Sequence, residues 1–440
     1  MKIFKEDIIA SLIVFIVALP LSLGVALASG ASLEAGLITA VIGGVLCGLL
    51  SGAPLVVAGP AAGLTALIYQ LVQQYGIAGL AIITVIAGGI QFGMGLLKLG
   101  RFFTFVPKAI LEGMLSVIGF IIAFYQIHVL LGQSVPTSMF KAFSTLPQAI
   151  GNVYWPILLC GGLAIFIQLY WSKMPKSLSW IPGALPAVLI ATLVSLFWEM
   201  PRVQIADFLS HISSAFSVIS IGSVTLVSSQ MLFSAMGLAL VASAETLLTA
   251  IALEGNIAKR GIKEYKTANL DHELLAHGFS NTISGFFGGL PMTGVIVRSA
   301  VNVSSGAKTR MSTMLHGVWI ALFVIFAPDI LQKIPLTALA AVLIVTGFKL
   351  LNANEFIKVI TNSRWQGLLW AVTFFAILKT DLLTGLSIGV SVYLVGSLIT
   401  RTGDIQNWII QKKLKEKFLV QMSGWNRGFG RKKDTYRKTF

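Results

Sequence analysis

The chain has 440 residues, of which 56% are hydrophobic and only 11% are charged. That balance excludes an ordinary water-soluble domain, in which about 25% of residues are charged, and indicates that most of the chain lies in lipid. The formal net charge is +15, but the basic residues follow the breaks between apolar stretches, so they indicate membrane orientation and predict no nucleic-acid partner.

Apolar stretches long enough to cross a bilayer follow one another along the chain, and we expect about fourteen spans in an all-α polytopic membrane protein. The first stretch lacks a cleavage site and is expected to be retained. Cys47 and Cys160 are expected to be small buried residues. The predicted spans are residues 8–28, 33–52, 60–74, 77–98, 105–130, 153–171, 181–198, 231–252, 272–289, 298–306, 311–328, 334–351, 364–380 and 382–400.

The distribution of lysine and arginine predicts the orientation of the spans. If both termini are cytoplasmic, most basic residues face inward, and the outward loops carry only Lys141, Arg202, Lys333 and Lys379. We therefore expect a multi-pass protein of a bacterial inner membrane, with residues 1–400 as the transmembrane domain. The basic tail, residues 401–440, is expected to lie in the cytoplasm against anionic lipid headgroups.

Two predicted spans, 60–74 and 298–306, are too short to cross a bilayer and follow segments rich in glycine and proline. Aligning these segments places Pro54 opposite Pro291. Because one short span is third and the other tenth, the chain divides into two inverted repeats of seven helices, about 8–198 and 231–400. Interrupted spans at matching places in two repeats are the pattern of a transporter binding site.

Each interrupted segment predicts a short extended strand that leads into a half-helix. Extended backbone inside a membrane needs protein partners, so we expect the two strands to pair. Pro60 is predicted at the first helical position, where a missing N–H costs nothing. Two half-helix N-termini would then aim N–H groups at one point and form an anion site; ordinary helix kinks are the alternative.

Almost every charged residue can be placed at a span end or in a loop, and the two that cannot are Glu245 and Arg298. The fixed charge of Arg298 at the start of the second half-helix suits an oxyanion. Thr249 lies one turn beyond Glu245, so both side chains can approach a cation, Na⁺ or H⁺, together with backbone carbonyls. Mutual neutralisation of Glu245 and Arg298 is the alternative. The predicted cation-coupling residues are Glu245, Thr249, Gly294, Val295 and Ile296.

Motifs of soluble enzymes are missing from the sequence: it has no nucleophile elbow, metal-binding helix or phosphate-binding Walker loop. We therefore expect neither enzymatic activity nor a cofactor, apart from Na⁺ as a coupling ion.

At these residues the sequence resembles the SulP family of inorganic anion transporters, bacterial relatives of the SLC26 group. The resemblance runs from about Asp7 to about Arg401. It is carried by Ala18-Leu19-Pro20, by Ala58-Gly59-Pro60-Ala61-Ala62-Gly63, and by the stretch from Glu273 through Gly288-Gly289-Leu290-Pro291-Met292-Thr293-Gly294 to Asn302.

The resemblance implies a core domain of helices 1–4 and 8–11, a gate domain of helices 5–7 and 12–14, and an elevator-type alternation between them. It implies that helices 3 and 10 are the half-helices. It also implies which residues bind substrate: Leu21, Val25, Gly59, Pro60, Ala61, Ala62, Val297, Arg298 and Ser299.

The resemblance further implies Na⁺-coupled bicarbonate uptake, since Glu245 and Thr249 look like the sodium-binding pair of bicarbonate-transporting members. The stretch 288–308 looks like a branch associated with carbonic anhydrase, so a carbonic anhydrase and a second copy of the chain are the protein partners considered. Family members usually carry a STAS domain after the last span, and none is expected here. Two residues depart from relatives: Glu245 can be aspartate there, and Val297 can be serine.

Other functions remain open at this point. Within the family, H⁺-coupled transport or exchange of sulfate, chloride or a dicarboxylate fits the same residues. A passive anion channel is a second class, although two broken helices favour alternation over an open pore. A nucleobase permease is disfavoured, because Arg298 suits a full negative charge.

Overall fold

The structure is a computed structural model, and it describes residues 4–105, 107–136, 139–174, 183–204, 227–259, 267–351, 357, 361, 363–380 and 384–397. The predicted tail, residues 401–440, lies outside these. The chain divides into two compact units, Met1–Leu386 and Ser387–Phe440. All contacts reported below lie within the first unit; in the second, the described residues continue a helix that begins at Thr384.

The fold is an all-α membrane architecture, as predicted. The helices of the first half are α1 (Lys5–Ala28), α2 (Leu33–Leu50, with a π-helical stretch at Gly43–Cys47), α3 (Thr65–Leu96), α4 (Lys108–Leu130), α5 (Met139–Gly151), α6 (Trp155–Tyr170) and α7 (Ala184–Ser195). Those of the second half are α8 (Ser229–Lys259), α9 (Leu270–Phe286), α10 (Ile296–Ser304), α11 (Arg310–Phe326), α12 (Pro328–Gln332), α13 (Leu336–Leu351), α14 (Arg364–Lys379) and α15 (Thr384–Ser397).

Among the described residues, five helices are long and apolar enough to cross a membrane alone, or six if the bent pair α5 and α6 forms one span. Several others are apolar but shorter, including α7, α11, α13 and α15. The predicted total of fourteen spans therefore stays a prediction, as do the core and gate groupings.

Helix α3 contains a break at Gly76, whose φ of 71° favours glycine, and this break separates the third predicted span, 60–74, from the fourth, 77–98. Helix α5 was not predicted, because Lys141 and Pro147 interrupt its apolar residues; it joins α6 at an angle of 114°.

Helices α3 and α9 pack closely because glycine occupies their crossing. A Cβ atom at Gly278 on α9 would overlap the backbone of Phe92 on α3. Such contacts between backbones are typical of helix packing in membranes, where small residues permit dense van der Waals contact.

Asp7 at the start of α1 caps the loop before α11. Its carboxylate, which is fully buried, accepts hydrogen bonds from the backbone N–H groups of Lys308 (2.8 Å) and Thr309 (3.0 Å) and from the Thr309 hydroxyl (2.7 Å). The start of α1 is thereby connected to the loop between α10 and α11.

We expect Asp7→Ala to lower the free energy of unfolding by about 2 kcal/mol, because buried donors lose their acceptor. Thermal unfolding of the detergent-purified protein measures the effect. Glu6→Ala is the matched control: its carboxylate forms an exposed ion pair with Lys308 at 2.6 Å, so its loss should change little. Equal destabilisation by both changes would contradict the assignment.

Candidate functional site

The two interrupted segments form a two-stranded antiparallel sheet, β1 (Ala58–Pro60) and β2 (Met292–Gly294). In its register Gly59 lies opposite Thr293, and the Val295 N–H donates to the Val57 carbonyl at 2.9 Å just beyond the strands. Every residue of both strands is buried. The predicted pairing is confirmed, and it brings the starts of α3 and α10 together.

Pro60 does not open the first half-helix, contrary to the prediction. It is the last residue of β1, opposite Met292. After it, Ala61 is extended, a 3-10 turn runs over Ala62–Leu64, and α3 begins at Thr65. A residue without an N–H also fits a strand end, because there it removes no ladder hydrogen bond.

Arg298 is completely buried in the first turn of α10. Its Nη2 donates to the hydroxyl of Ser22 on α1 at 3.0 Å and to the Pro60 carbonyl at 3.4 Å. A Cβ atom at Gly59 would overlap its Nη1. The guanidinium therefore joins α1, β1 and α10, and glycine at position 59 leaves room for it.

The charge of Arg298 has no carboxylate partner within the described part of the chain. No ion pair joins it to Glu245, so mutual neutralisation is not supported. Its Nε and Nη1 have no hydrogen-bond partner among the described residues. A fixed positive charge with unused donors suits an anion.

Glu245 lies in α8, and its carboxylate meets the beginning of the first half-helix. Its Oε1 lies beside Gly63, where an added Cβ atom would be 2.7 Å away, and the Gly63 backbone N–H and the Thr293 side chain are its polar neighbours. Its Oε2 is buried without a hydrogen-bond partner among the described residues. A carboxylate from another helix thus occupies the positive end of α3, a position favourable to negative charge.

The remaining predicted residues surround the strand pair. Leu21 and Val25 are buried in α1, next to Ser22. Val295 precedes α10, whose first two residues are Ile296 and Val297. Thr249 is buried in α8, one turn beyond Glu245.

Two other predicted residues hold the strands in place. Ser299 accepts a hydrogen bond from the Val57 N–H at 2.9 Å. The Gly294 N–H donates to the hydroxyl of Thr246, not of Thr249, at 3.1 Å.

Sequence reasoning missed four residues that contact the site: Ser22, Gly63, Thr246 and Thr293. Gly63 and Thr293 lie within the motifs of the two interrupted segments, so their position in the sequence could have indicated that they contact the site. Ser22 and Thr246 gave no signal, because single hydroxyl residues are common in apolar spans and either can satisfy its own helix backbone.

A cavity of about 620 Å³ reaches Ala62 and Gly63 from one side. Described residues of α3, α4, α5, α8 and α14 line it, and Lys379 is the one charged residue among those described. Of the predicted substrate-binding residues, Ala62 lines this cavity, and Arg298 is not among its described lining residues.

We expect Gly63→Ala to impair cation coupling, because the added Cβ would lie 2.7 Å from Glu245 Oε1 and would displace the carboxylate. The stimulation of anion uptake by a Na⁺ gradient, measured in proteoliposomes, should fall severalfold. Gly93→Ala, where a Cβ atom meets nothing within 4 Å on the same helix, is the control and should leave uptake unchanged. If the stimulation by Na⁺ is unchanged in Gly63→Ala, Glu245 does not bind the coupling cation.

Comparison with known proteins identifies the family. The sulfate permease family matches residues 4–373. The putative sulfate transporter YvdB of Bacillus subtilis (strain 168) is 31% identical over 398 residues, which are 88% of this chain and 72% of that protein. The bicarbonate transporter BicA of Picosynechococcus sp. is 27% identical over 423 residues, 92% of this chain and 72% of that protein.

Solved structures agree. The transmembrane domain of a cyanobacterial bicarbonate transporter, BicA, superposes with a TM-score of 0.73 at 26% identity, covering 88% of this chain and 97% of that one. The murine Slc26a9 anion transporter in the inward-facing state has a TM-score of 0.75 at 16% identity, covering 91% of this chain and 70% of that one, which indicates a shared fold. These relatives are transporters and not enzymes. The chain belongs to the sulfate permease family and is a multi-pass membrane transporter of inorganic anions.

Proposed function

We propose that the chain imports bicarbonate across a bacterial inner membrane, with both termini cytoplasmic, and couples this uptake to Na⁺ or, if Glu245 takes up a proton, to H⁺. The observation that carries the proposal is that two charged groups lie at one pair of opposite residues in the sheet. Arg298 approaches Gly59, and Glu245 contacts Thr293, the residue opposite Gly59.

The position of Glu245 supplies a physical reason for coupling. Its carboxylate lies beside the Gly63 N–H, a donor at the helix end that an anion would use. A substrate anion next to an ionised carboxylate is repelled, so binding favours a state in which Na⁺ or H⁺ neutralises Glu245. The free Oε2 and the Thr293 hydroxyl are oxygen ligands suited to a hard cation.

Charge balance favours a monovalent substrate. One cation and one monoanion leave the net charge of the site unchanged. A site without added charge has a lower free-energy cost of movement through the apolar part of an elevator-type transporter. The likeness to the BicA transmembrane domain over 97% of its length supports bicarbonate, and a carbonic anhydrase would suit such a transporter as a partner.

Sulfate is the second candidate, because the 31% identical relative is described as a putative sulfate transporter. A divalent anion would leave one negative charge uncompensated with a single cation, so sulfate transport would need a second cation or an exchanged anion.

Uptake by the purified full-length protein in proteoliposomes tests the proposal. At alkaline pH, where little CO₂ forms, labelled bicarbonate should accumulate faster under an inward Na⁺ gradient than under an equal K⁺ gradient, or faster under an inward proton gradient. If the uptake rate is the same with and without each gradient, coupling to Na⁺ and to H⁺ is rejected. Accumulation of labelled sulfate but not bicarbonate would favour the second candidate, and currents above a carrier's turnover would indicate a channel.

We expect Lys379→Gln to raise KM for the anion about fivefold at low salt with little change in kcat, because one exposed charge attracts the anion without touching the central site. Concentration-dependent uptake at two ionic strengths measures it. Lys333→Gln is the control, since Lys333 is equally exposed and does not line the cavity. A KM independent of Lys379 would place the entry path elsewhere.

A further inference from the structure

The outer edge of β2 is hydrogen-bonded by side chains. The sheet has two strands in the described part of the chain, and in an antiparallel pair the N–H and C=O groups of alternate residues point away from the partner strand. Val295 donates to Val57 just beyond the strands, which makes these two a hydrogen-bonded pair. By alternation, Met292 and Gly294 point their backbone groups outward. Inside a membrane such groups need partners from the protein.

The side chain of Asn281 on α9 takes the place of a neighbouring strand beside Met292. Its Oδ1 accepts from the Met292 N–H at 2.7 Å, and its Nδ2 donates to the Met292 carbonyl at 3.0 Å. These are the two bonds that a third strand would supply. Asn281 is only 1% exposed, so water does not compete for them. The second outward residue, Gly294, donates its N–H to the Thr246 hydroxyl on α8.

A chain of buried hydrogen bonds continues from Asn281 to α8. Its Nδ2 also donates to Gln91 Oε1 on α3 at 2.7 Å, and Gln91 Nε2 donates to the Ser243 hydroxyl at 3.2 Å. Gln91 and Ser243 are fully buried. Because the Met292 N–H can only donate and its carbonyl can only accept, the backbone determines the orientation of both amides.

These bonds join β2 to α8 on both sides of Glu245. Ser243 precedes Glu245 by two residues, and Thr246 follows it directly. Thr293 lies between the two outward-pointing residues of β2, and its side chain is a polar neighbour of the Glu245 carboxylate. The separation of Thr293 from Glu245 therefore depends on the network that Asn281 begins.

We propose that Asn281 is a positioning residue for a coupling Na⁺, because it fixes the place of Thr293 relative to Glu245. The inference rests on the proposed function, in which these two side chains receive the cation. A hard metal cation needs several oxygen ligands at defined distances, so a displaced Thr293 weakens its binding. Arg298 bonds to α1 and β1 instead, so anion binding depends on Asn281 much less.

Asn281→Leu keeps the approximate shape of the side chain and removes the whole amide. We expect K0.5, the Na⁺ concentration for half-maximal uptake, to rise about tenfold, the factor for about one lost hydrogen bond, while KM for the anion at saturating Na⁺ stays within about twofold of wild type. Initial rates of labelled bicarbonate uptake by the full-length protein in proteoliposomes, with K⁺ replacing Na⁺ at constant ionic strength, measure both. Labelled sulfate is used if that is the anion transported. A loss of folded protein lowers the maximal rate and leaves K0.5 unchanged.

Ser243→Ala is the second variant, because it removes the last acceptor of the network without touching β2. We expect K0.5 to rise about threefold, and this variant decides the matter if Asn281→Leu does not fold. Thr84→Val is the matched control. Thr84 is fully buried on the same helix as Gln91, but its hydroxyl donates to the Leu80 carbonyl of its own helix at 2.8 Å. Its K0.5 should equal that of wild type.

The outcomes distinguish this inference from the proposed function. If wild-type uptake depends on Na⁺ and K0.5 does not change in Asn281→Leu, or if K0.5 and the anion KM rise equally, the inference alone is overturned. If only a proton gradient stimulates wild-type uptake, coupled transport stands and the inference is wrong, because a proton needs no shell of oxygen ligands. If neither gradient stimulates wild-type uptake, both are overturned.

Discussion

Replacing Arg298 by glutamine should lower the initial rate of anion uptake at least about 30-fold, the effect expected when a buried charge-assisted contact of 2 kcal/mol or more is lost. The guanidinium is fully buried and has no carboxylate partner in the described residues. We expect the substrate anion to supply the missing negative charge. Initial rates in proteoliposomes, normalised to inserted protein, give the measurement.

Two further variants distinguish the loss of the Arg298 charge from a loss of correct folding. Arg364→Gln removes an exposed arginine at the start of α14 and should leave uptake unchanged. Arg298→Lys keeps the charge but cannot donate to Ser22 and to Pro60 with a planar fork, so we expect partial activity. If Arg298→Gln is monodisperse and transports at the wild-type rate, Arg298 does not hold the anion.

Replacing Glu245 by glutamine should abolish the stimulation of uptake by Na⁺ or proton gradients and reduce accumulation to equilibration. Glutamine has nearly the same shape and can occupy the same position beside Gly63 and Thr293, but it carries no charge for a cation to neutralise. Uptake with and without each gradient, followed to steady state, measures the change.

Glu254→Gln is the matched control, because Glu254 lies on the same helix and its carboxylate accepts from the Ala268 N–H, away from the strand pair. It should retain coupling. Gradient-driven accumulation that survives in Glu245→Gln would assign the cation to other residues, such as Thr249, and leave the anion site unaffected.

The architecture of the site could be predicted from two short segments. A glycine-proline interruption before each short span predicted paired strands, and β1 and β2 pair with Gly59 opposite Thr293. The reason is general: extended backbone in an apolar interior has few partners other than a second strand. The same argument could not locate Pro60, because a proline fits both a strand end and a helix start.

Side-chain partners were less predictable. The spacing along α8 predicted that Glu245 acts together with Thr249, one turn further along the helix. In the structure, the described neighbours of the Glu245 carboxylate are Gly63 and Thr293. Those residues are distant in sequence, and helical periodicity carries no information about them.

The amino-acid sequence by itself determined that the chain is a helical membrane transporter with two interrupted helices, and that Glu245 and Arg298 are charged residues away from the ends of its spans. These follow from local properties: apolar length, backbone hydrogen bonding and the cost of charge in lipid. Only the tertiary structure decided that Arg298 bonds to Ser22 and Pro60 while Glu245 caps the other half-helix, because those contacts depend on how distant segments pack together.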